Sequence, residues 1–421
     1  MARYRSTSAG SRLAGPRYND AMISVRDAQA HILERIATPV PPELLPLAAA
    51  LGRVLAENVR AGMDVPPTDN SAVDGYAVAS ADIPASGTRA LEVVAELAAG
   101  SVFAGTLRPG QALRIMTGAP MPAGADTVFP QEVVERRDCL VIVGSLAAGA
   151  NTRHRGEDVQ AGDVVLAAGG VLRPQEIGVA ASLGLAQLLV RQRPRVAILS
   201  TGDEVAEPGS VRKPGQIYDS NRFSLRGLVE DAGATVVDDG IVPDQFGELH
   251  ARLLRAAEHA DVVLTSGGVS VGDYDLVKAV LQQAGGIDFW QVAMQPGRPL
   301  AVGGIGPAHF FGLPGNPVAS MLTFHLFVRP ALWKLAGRRE LFGRPFHATA
   351  LEPMGKKTGR REFKRGILSY DNDRWEVRTT GPQGSGILTS MTAANCFIVI
   401  EEERGDVAAG ESVWVELFRA L

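Results

Sequence analysis

The sequence predicts a multidomain protein of the α/β and β class, built around a doubly wound, mostly parallel sheet. Its 421 residues, 46% of them hydrophobic and 21% charged, are enough for several folded domains. Between residues 194 and 343, short apolar runs alternate with amphipathic helical patterns, as they do in βαβ units. After residue 344 the helical patterns stop, and runs such as "NCFIVIE" and "ESVWVELF" predict a small β domain.

The first half of the chain predicts a divided N-terminal domain. Ser24 and Asp27 have the spacing of a capping box at a helix start, and "LPLAAALGRVLAENV" predicts a second helix. Short strands between Gly and Pro turns then predict a β-rich insertion over residues 61–144. We therefore expect one discontinuous domain, made of residues 21–60 and 145–193. Residues 1–20 have the composition of a disordered tail, with an organelle transit peptide as the alternative.

In the sheet domain, residues 194–343, each predicted strand precedes a predicted helix. The pairs are "RVAILS" before "SNRFSLRGLVEDAG", "TVVDDGIV" before "GELHARLLRAAEHA", "DVVLTSGG" before "YDLVKAVLQQAG", and "HFFGLPGNP" before "VASMLTFHLFVRPALWKLAG". Parallel strands are joined by right-handed crossovers, so the loops that follow them gather at one rim of the sheet. Open α/β sheets bind their ligands at that rim.

Charge and cysteine usage argue against several kinds of function. The net charge of −4 supplies no basic field for nucleic acid or acidic lipid. Cys139 and Cys396 stand alone and the histidines form no HExxH pattern, so a zinc site is not indicated. No apolar run reaches the roughly 20 residues of a membrane span, and the first twenty residues lack a secretory apolar region. We expect a cytoplasmic protein.

The loop "SGGVSVGDYD" carries the strongest chemical signal. Two hydroxyl donors and two glycines there could hold an oxyanion: Ser266, Gly267, Gly268 and Ser270. Asp273 and Asp275 begin a helix, where capping is the simpler explanation for a carboxylate. Capping explains one aspartate but not the glycines and hydroxyls before it. Hard oxygen ligands beside an anion cradle favour Mg²⁺ bridging a polyphosphate.

Three further loops are expected at the same rim: "STGDE", "QPGRP" and "GLPGNP". Glu204 adds a carboxylate to the possible magnesium ligands. Arg298 supplies a positive charge and can donate two hydrogen bonds to an oxyanion. Asn316 is a favourable N-cap and Pro317 suits the first helical position, where free amides favour an anion. For each loop the simpler alternative is an ordinary turn or a well-capped helix.

Charged segments outside the sheet domain leave two explanations open. "DNSAVDGYA" and "RHRGED" are typical of solvated Gly turns, but they also supply carboxylates and arginines. In the last domain, "GRREFKRG" is a basic β edge that either discourages edge-to-edge pairing or grips phosphate.

Taken in order, the motifs of this chain resemble those of the molybdopterin molybdenumtransferase family, which includes the E domain of gephyrin. Nine motifs carry the resemblance: "DNSAVDGYAV", "RIMTGAPMP", "RHRGEDV", "STGDEV", "GQIYDSNR", "SGGVSVGDYD", "QPGRPLA", "GLPGNPVAS" and "QGS". They cover essentially the whole chain after the tail. The resemblance implies that the last domain is barrel-like and that the protein is a homodimer with active clefts shared between subunits. It also implies a Mg²⁺-assisted reaction of adenylyl-molybdopterin with molybdate that yields molybdenum cofactor and AMP.

The resemblance also assigns roles to individual residues. Catalytic roles fall on Asp74, Asp158, Glu204 and Asp275, and the expected magnesium ligands are Glu204, Asp273 and Asp275. Substrate contacts matched by family motifs are Thr117, Arg153, Asp244, Ser270, Pro314, Pro317, Arg360 and Ser385. The loop chemistry described above adds Ser266, Gly267, Gly268, Pro296, Arg298, Gly315 and Asn316 to the predicted substrate site.

One departure from the family pattern concerns charge. In "WQVAMQPGRP", Gln291 and Gln295 stand where the family often has lysine, while Arg298 keeps a third positive charge. We therefore expect an anion site that depends more strongly on the remaining arginines.

Two other functions fit part of the pattern. The adenylyltransferase that makes adenylyl-molybdopterin has the same type of sheet domain, with its SGG and LPGNP loops, but does not require the N-terminal motifs or the last domain. That enzyme is also a candidate partner, as the supplier of substrate. A gephyrin-like scaffold that binds receptor tails would not require acidic residues and arginines in the cleft.

Overall fold

The computed structural model describes residues 22–267, 280, 283, 286–371 and 373–418. The predicted tail and four predicted site residues, Gly268, Ser270, Asp273 and Asp275, lie outside these ranges. The chain forms two compact units. Unit 1 comprises Met1–Glu43, Gly52–Val54 and Arg191–Leu421, and unit 2 comprises Leu44–Leu51 and Leu55–Val190. Among the described residues, no helix is long and apolar enough to cross a membrane.

Helix α1 (Val25–Glu34) opens the described chain and belongs to unit 1. The Ser24 side chain accepts a hydrogen bond of 3.1 Å from the Asp27 amide, so the predicted cap at this helix start is confirmed. One face of the helix, with Val25, Ala28 and Ile32, is buried in the main core of the unit.

Unit 2 contains a six-stranded sheet in the spatial order β7-β4-β6-β5-β9-β8. Its strands are β4 (Gly75–Val78), β5 (Arg89–Leu97), β6 (Gln111–Ile115), β7 (Thr127–Pro130), β8 (Glu135–Arg137) and β9 (Leu140–Val143). Two apolar clusters cover this sheet, one including Tyr76, Leu91 and Val141, the other including Leu97, Leu113 and Val128. The β-rich segment that the Gly and Pro turns predicted is therefore present.

The rest of unit 2 consists of short strand pairs and one helix. The pairs are β1 (Pro42–Pro46) with β12 (Gln187–Arg191), β2 (Val59–Arg60) with β11 (Val164–Leu166), and β3 (Asn70–Ser71) with β10 (Thr152–Arg153). Helix α2 (Pro174–Ser182) follows β11.

The helix predicted over "LPLAAALGRVLAENV" is wrong. That segment contains the end of β1, a 3₁₀ turn at Leu47–Ala49 and an isolated bridge between Leu55 and Val190. Leu55 is 2% exposed and packs in a small core with Leu166, Leu172 and Leu188. Pairing and burial against distant parts of the chain thus override the high helix propensity of the alanines and leucines.

The sheet of unit 1 has the spatial order β16-β13-β17-β21-β20-β18. Its strands are β13 (Arg195–Thr201), β16 (Thr235–Val242), β17 (Val262–Ser266), β18 (Ile287–Gln291), β20 (Pro299–Ile305) and β21 (Ala308–Leu313). The first four in spatial order are parallel, whereas β20 and β18 are each antiparallel to their inner neighbour. A short pair, β14 (Val205–Ala206) with β15 (Ile217–Tyr218), lies in the loop after β13.

Both faces of this sheet are covered, so the doubly wound fold predicted from the sequence is confirmed. Helix α3 (Asn221–Asp231) packs in one core with Ile198 and Leu264, and helix α4 (Phe246–His259) packs in the other with Leu199 and Val263. Alternate residues of each strand thus face opposite cores, which is why the central strands read as continuous apolar runs. Of the helix predicted over "YDLVKAVLQQAG", only Val280 and Gln283 are described, and both are helical.

The predicted helix after "GLPGNP" consists of three segments. Helix α5 (Pro317–Thr323) leads into a π-helical turn (Phe324–Val328) and then helix α6 (Arg329–Leu335). Pro330 lies shortly past the π turn, and proline both lacks an amide donor and clashes with the carbonyl four residues before it. The wider π turn is one way for a helix to accommodate such an interruption.

The C-terminal part of unit 1 is a closed barrel of five strands. They are β22 (Phe346–Ala350), β23 (Arg361–Asp371), β24 (Arg374–Thr379), β25 (Cys396–Ile400) and β26 (Ser412–Leu417). The long strand β23 pairs with both β24 and β25, which closes the barrel. The short helix α7 (Thr389–Ala393) precedes β25, and the two-residue strand β19 (Met294–Gln295) joins β23 from the sheet domain.

Candidate functional site

The parallel strands of unit 1 end side by side. Ser266 at the end of β17 pairs with Ser200 of β13 on one side and with Leu313 of β21 on the other, and Thr201 pairs with Val242 of β16. The loops that follow these strands therefore begin in adjacent positions at one rim. The rim predicted for "STGDE", "SGG" and "GLPGNP" is present, and Asp244 follows β16 at the same edge.

The "QPGRP" loop reaches this rim by an antiparallel route. Gln291 at the end of β18 pairs with Pro299 at the start of β20, and Ala301 pairs with Gly312 near the end of β21. The connection from Gln291 to Pro299, with Pro296 and Arg298, thus lies at the end of the sheet where β21 finishes.

Two glycines allow the loops after β17 and β21 to contact each other. Gly267 has a φ of +95°, and a Cβ added there would lie 2.8 Å from the carbonyl oxygen of Thr201. A Cβ on Gly315 would lie 3.7 Å from the Cα of Gly267, and the Gly267 amide donates to the Leu313 carbonyl at 3.2 Å. A side chain at 267 would be both strained and crowded, so this position requires glycine.

A cluster of buried polar atoms without partners lies at the same rim. The hydroxyls of Ser200, Thr201 and Thr265 and the amide oxygen of Asn221 are buried and form no hydrogen bond within the described part of the chain. Buried polar atoms in folded proteins nearly always have partners, so a cluster of exceptions indicates a place where a polar ligand completes the bonding.

Asn221 is one of the residues at the rim that sequence reasoning missed, together with Ser200, Thr201 and Thr265. It is the first residue of α3, and its side-chain amide donates to Ser266 Oγ at 2.8 Å and to the Gly315 carbonyl at 2.7 Å. The motif "GQIYDSNR" contains it, but an Asn at a helix start is normally explained by capping. Only the folded chain shows that its side chain bridges two distant loops.

Acidic groups occupy the edge of the rim. Glu204 is exposed in the loop after β13 and makes no side-chain hydrogen bond or ion pair with a described residue. Asp203 Oδ1 accepts a hydrogen bond of 3.3 Å from the Asp244 amide, which connects the loops after β13 and β16. Within the described ranges there is no cluster of three or more His, Cys, Asp or Glu side chains with metal-binding geometry.

The loop that contains Ser385 docks at the start of α5. The Val318 amide donates to the Ser385 carbonyl at 3.1 Å, and Pro317 occupies the first turn of the helix. Asn316 takes the N-cap position with an extended backbone, as predicted, but its side chain makes no capping hydrogen bond. Ser385 and the "GLPGNP" loop, far apart in sequence, are therefore neighbours in the fold.

The basic edge predicted in "GRREFKRG" is largely neutralised inside the barrel. Arg361 forms ion pairs with Glu401 and Glu402, and Lys364 Nζ lies 2.6 Å from Glu362 Oε1. The hypothesis of a phosphate grip made by the whole segment is therefore wrong for these two cations.

Arg365, the last cation of that segment, is fully buried. Its guanidinium donates to Ser390 Oγ at 2.9 Å and to the carbonyls of Gln383 at 3.0 Å, Pro382 at 3.3 Å and Gly384 at 3.0 Å. Burial lowers the pKa of Arg365 from its usual value. Arg365 thus fixes the loop that presents Ser385, and it has no surface with which to bind phosphate.

Arg298 and Arg360 differ from their neighbours because neither side chain forms a hydrogen bond or ion pair with a described residue. Arg298 is exposed and Arg360 is half-buried. The Arg361 amide donates to the Ala293 carbonyl at 2.9 Å, and Met294 pairs with Arg361 in the β19–β23 ladder. The β19–β23 ladder therefore places Arg361, the neighbour of Arg360 in sequence, beside the segment that leads into the "QPGRP" loop.

Two of the predicted site residues of unit 2, Asp74 and Thr117, are in contact. The Asp74 carboxylate accepts from both the hydroxyl and the amide of Thr117, each at 2.7 Å. The hydrogen bond from the Thr117 hydroxyl is the main cause that lowers the pKa of Asp74 from its usual value, and the bond from the Thr117 amide adds to it. The carboxylate is therefore ionised at neutral pH. Arg153 pairs with Asn70 in the β10–β3 ladder, and the Asp158 amide donates to the Val65 carbonyl at 3.0 Å. Arg153 and Asp158 are exposed.

Unit 1 also contains cavities that do not coincide with the rim. One of them, of about 610 Å³, is lined by residues of α6 and the barrel that include Arg329, Trp333 and Arg338. The loops after the parallel strands contribute none of its described lining residues. Buried atoms without partners also occur at this cavity, on Arg329 Nε, Trp333 Nε1 and Arg338 Nε. We assign the functional site to the rim because the close glycines and the loops after the parallel strands meet there.

Comparison with known families agrees with this geometry over nearly the whole chain. Residues 23–184 match the family described as "MoeA N-terminal region (domain I and II)". Residues 197–334 match "Probable molybdopterin binding domain", and residues 347–418 match "MoeA C-terminal region (domain IV)".

Relatives and solved structures extend the match to full length. A "Molybdopterin molybdenumtransferase" of Haemophilus influenzae is 41% identical over 406 residues, which is 95% of this chain and 100% of the relative. A "Molybdopterin molybdenumtransferase 2" of Mycobacterium tuberculosis is 39% identical over 94% of this chain and 99% of the relative. The crystal structure of a molybdopterin biosynthesis moeA protein from Pyrococcus horikoshii superposes with a TM-score of 0.82, at 32% identity, over 94% of this chain and 100% of its own. The chain therefore belongs to the molybdopterin molybdenumtransferase family.

Proposed function

We propose that this protein transfers molybdenum from molybdate to adenylyl-molybdopterin and releases AMP, with Mg²⁺ as the assisting ion. Insertion of molybdenum into molybdopterin is the activity of the family to which the chain belongs. The adenylylated form of the substrate, the release of AMP and the use of Mg²⁺ are our proposals. The observation that carries them is the cluster of unpartnered Ser200, Thr201, Thr265 and Asn221 atoms beside the close Gly267–Gly315 contact.

The rim has the chemistry that an adenylylated pterin requires. Glycine at 267 and 315 lets backbone amides approach a phosphate, and the buried hydroxyls at the ends of β13 and β17 supply donors to its oxygens. The dithiolene of the pterin provides the soft sulfur ligands for molybdenum. The protein therefore needs to bind and orient two anions, which matches a site built from donors and free of thiolates.

Molybdate is a tetrahedral dianion, and we propose that it binds near Arg298, Arg360 and Ser385. Neither arginine forms an ion pair with a described acidic residue. An arginine guanidinium can donate two parallel hydrogen bonds to an oxyanion. The Ser385 loop lies at the start of α5, where backbone amides favour an anion. Gln291 and Gln295 offer amide hydrogen bonds but no charge at this end of the site.

We propose that Mg²⁺ binds at the rim together with the substrate. Mg²⁺ in phosphate sites is usually held by one or two carboxylates together with substrate oxygens and water. Glu204 is exposed and unpaired within the described chain, and we propose it as a ligand together with Asp273 and Asp275, which lie outside the described residues. When bound, Mg²⁺ would neutralise the charge of the substrate's pyrophosphate.

We further propose that the active form is a homodimer with composite sites. Asp74 and Asp158 belong to unit 2, whereas the rim with Glu204 belongs to unit 1. An Asp74→Ala chain co-expressed with an Asp275→Asn chain should regain part of the activity, because one of the two hybrid sites would keep both carboxylates. A purified heterodimer with no recovered activity would contradict shared sites.

The proposed reaction is tested by incubating the purified protein with adenylyl-molybdopterin, molybdate and Mg²⁺ and measuring AMP. We expect AMP release that requires molybdate and falls strongly in Arg360→Ala. The matched control is Arg339→Ala, because Arg339 is also an arginine but lies exposed after α6, away from the rim. Equal rates in the two variants would contradict the assignment of the anion site, and absence of AMP release by the unsubstituted protein would contradict the reaction.

A further inference from the structure

Asn221 uses both protons of its side-chain amide to connect two loops of the rim. One is donated to Ser266 Oγ at 2.8 Å and the other to the Gly315 carbonyl at 2.7 Å. The orientation of the amide is therefore determined, because a flipped side chain would place its oxygen against the Gly315 carbonyl oxygen. The amide oxygen itself is buried and accepts no hydrogen bond from a described residue.

The bond to Ser266 determines where the serine proton can point. A hydroxyl has one proton and two lone pairs, and the lone pair that faces Asn221 is occupied as an acceptor. The Ser266 proton must therefore point away from Asn221. Ser266 is 4% exposed and donates to no residue in the described part of the chain, so the proton is available to an acceptor at the rim.

We propose that Asn221 is a positioning residue for the phosphate of the substrate. It holds the loop after β17 against the loop after β21, and it turns the Ser266 O–H so that this hydroxyl donates to a phosphate oxygen. This inference rests on the proposed function, because it takes an adenylylated substrate as the anion. Asn221 acts through Ser266 and need not touch the reacting atoms.

The decisive substitution is Asn221→Asp, which keeps the shape of the side chain and reverses its hydrogen bonding. A carboxylate cannot donate, so Ser266 would donate to the introduced carboxylate and its proton would be withdrawn from the phosphate. We expect the affinity for AMP to fall by about tenfold or more, as for the loss of a hydrogen bond to a charged group. Asn221→Ala frees the Ser266 hydroxyl to rotate, so its AMP affinity should fall less.

A double-mutant cycle separates this role from the added negative charge of aspartate. AMP binding is measured by titration calorimetry for the unsubstituted protein, Asn221→Asp, Ser266→Ala and the double variant, in the presence of Mg²⁺. If Asn221 acts through Ser266, the penalty of Asn221→Asp should shrink at least several-fold in the Ser266→Ala background. A penalty of the same size in both backgrounds would overturn the inference, because charge alone would then account for it.

Two controls distinguish a failure of this inference from a failure of the proposed function. Asn58→Asp is the matched control, because the exposed Asn58 only accepts a hydrogen bond from the Ala168 amide, which aspartate can also do. It should leave AMP affinity unchanged. Failure of the unsubstituted protein to bind AMP would contradict the proposed function, whereas normal AMP binding by Asn221→Asp would contradict only the role of Asn221.

Discussion

Arg365→Lys should detach the Ser385 loop from the barrel while keeping a positive charge in the same place. Arg365 is fully buried, and its guanidinium makes four hydrogen bonds to the loop and to Ser390. A lysine ammonium is a point donor without the planar fork, so it cannot reach acceptors on opposite sides of the guanidinium. We expect at least two of the four acceptors to lose their partner.

The magnitude follows from the cost of leaving buried acceptors unpaired. Each such group costs about 1–3 kcal/mol, so two of them should lower the local free energy of opening by about 2–6 kcal/mol. The effect should be concentrated in residues 382–390 and in the adjoining strand β23, because the bonds of Arg365 all end there.

Native-state hydrogen exchange measures this quantity directly, since it reports local opening free energies. Peptides covering residues 382–390 should exchange much faster in Arg365→Lys than in the unsubstituted protein. Arg378→Lys is the matched control, because Arg378 lies exposed on β24 of the same barrel. The molybdate concentration needed for half-maximal AMP release should also rise. Unchanged protection of residues 382–390 would refute the reasoning.

Five other substitutions test the charge of the site, its backbone and one pH effect. A charge pair near 4 Å is worth about 4 kcal/mol at an effective dielectric of about 20, and solvent reduces this strongly at an exposed side chain. Arg298→Ala should therefore raise the half-saturating molybdate concentration more than Gln295→Ala does. Gln295→Lys should lower that concentration and make it sensitive to salt. A larger effect of Gln295→Ala than of Arg298→Ala would mean that Gln295 makes a specific contact. Gly267→Ala forces a side chain onto a φ of +95° and should cost about 1–3 kcal/mol in urea denaturation, whereas an unchanged midpoint would contradict the strain. A hydrogen bond from Arg173 lowers the pKa of Glu176 from 4.5 to about 2, so its stabilising effect is complete above pH 4.5 and is lost as the pH falls towards 2. Glu176→Gln should remove this part of the pH dependence of unfolding, and equal slopes in both proteins would show that the pair contributes nothing.

Local sequence patterns were enough to predict the fold class and the rim. The parallel strands β13, β16, β17 and β21 are short apolar runs that precede amphipathic patterns, and both signals arise from neighbouring residues. The right-handed crossover rule then gathers the loops without knowledge of any side-chain contact. The positions of Glu204, Gly267 and Pro317 at one rim follow from these two steps. Arg298 reaches the rim through the antiparallel strands β18 and β20, which the strand–helix pattern did not predict.

Helix prediction failed where distant pairing decided the conformation. "LPLAAALGRVLAENV" has the composition of a helix, but Leu55 pairs with Val190 and packs against Leu166. No residue within the segment reveals those partners. Similarly, the sequence predicted one helix through Pro330 and did not show the π turn that precedes this residue.

The sequence by itself determined which residue types stand at the ends of the strands, because strand ends and turn residues are local properties. Only the tertiary structure decided which of the charged and polar groups are available to a ligand. Arg361 and Arg365 look like Arg360 in sequence, yet one is paired with Glu401 and the other is buried under the Ser385 loop. Asn221 looks like a helix start, yet it joins loops 45 and 94 residues away. Hydrogen-bond partners and burial depend on residues brought together by folding, and that information is not contained in the spacing of neighbouring residues.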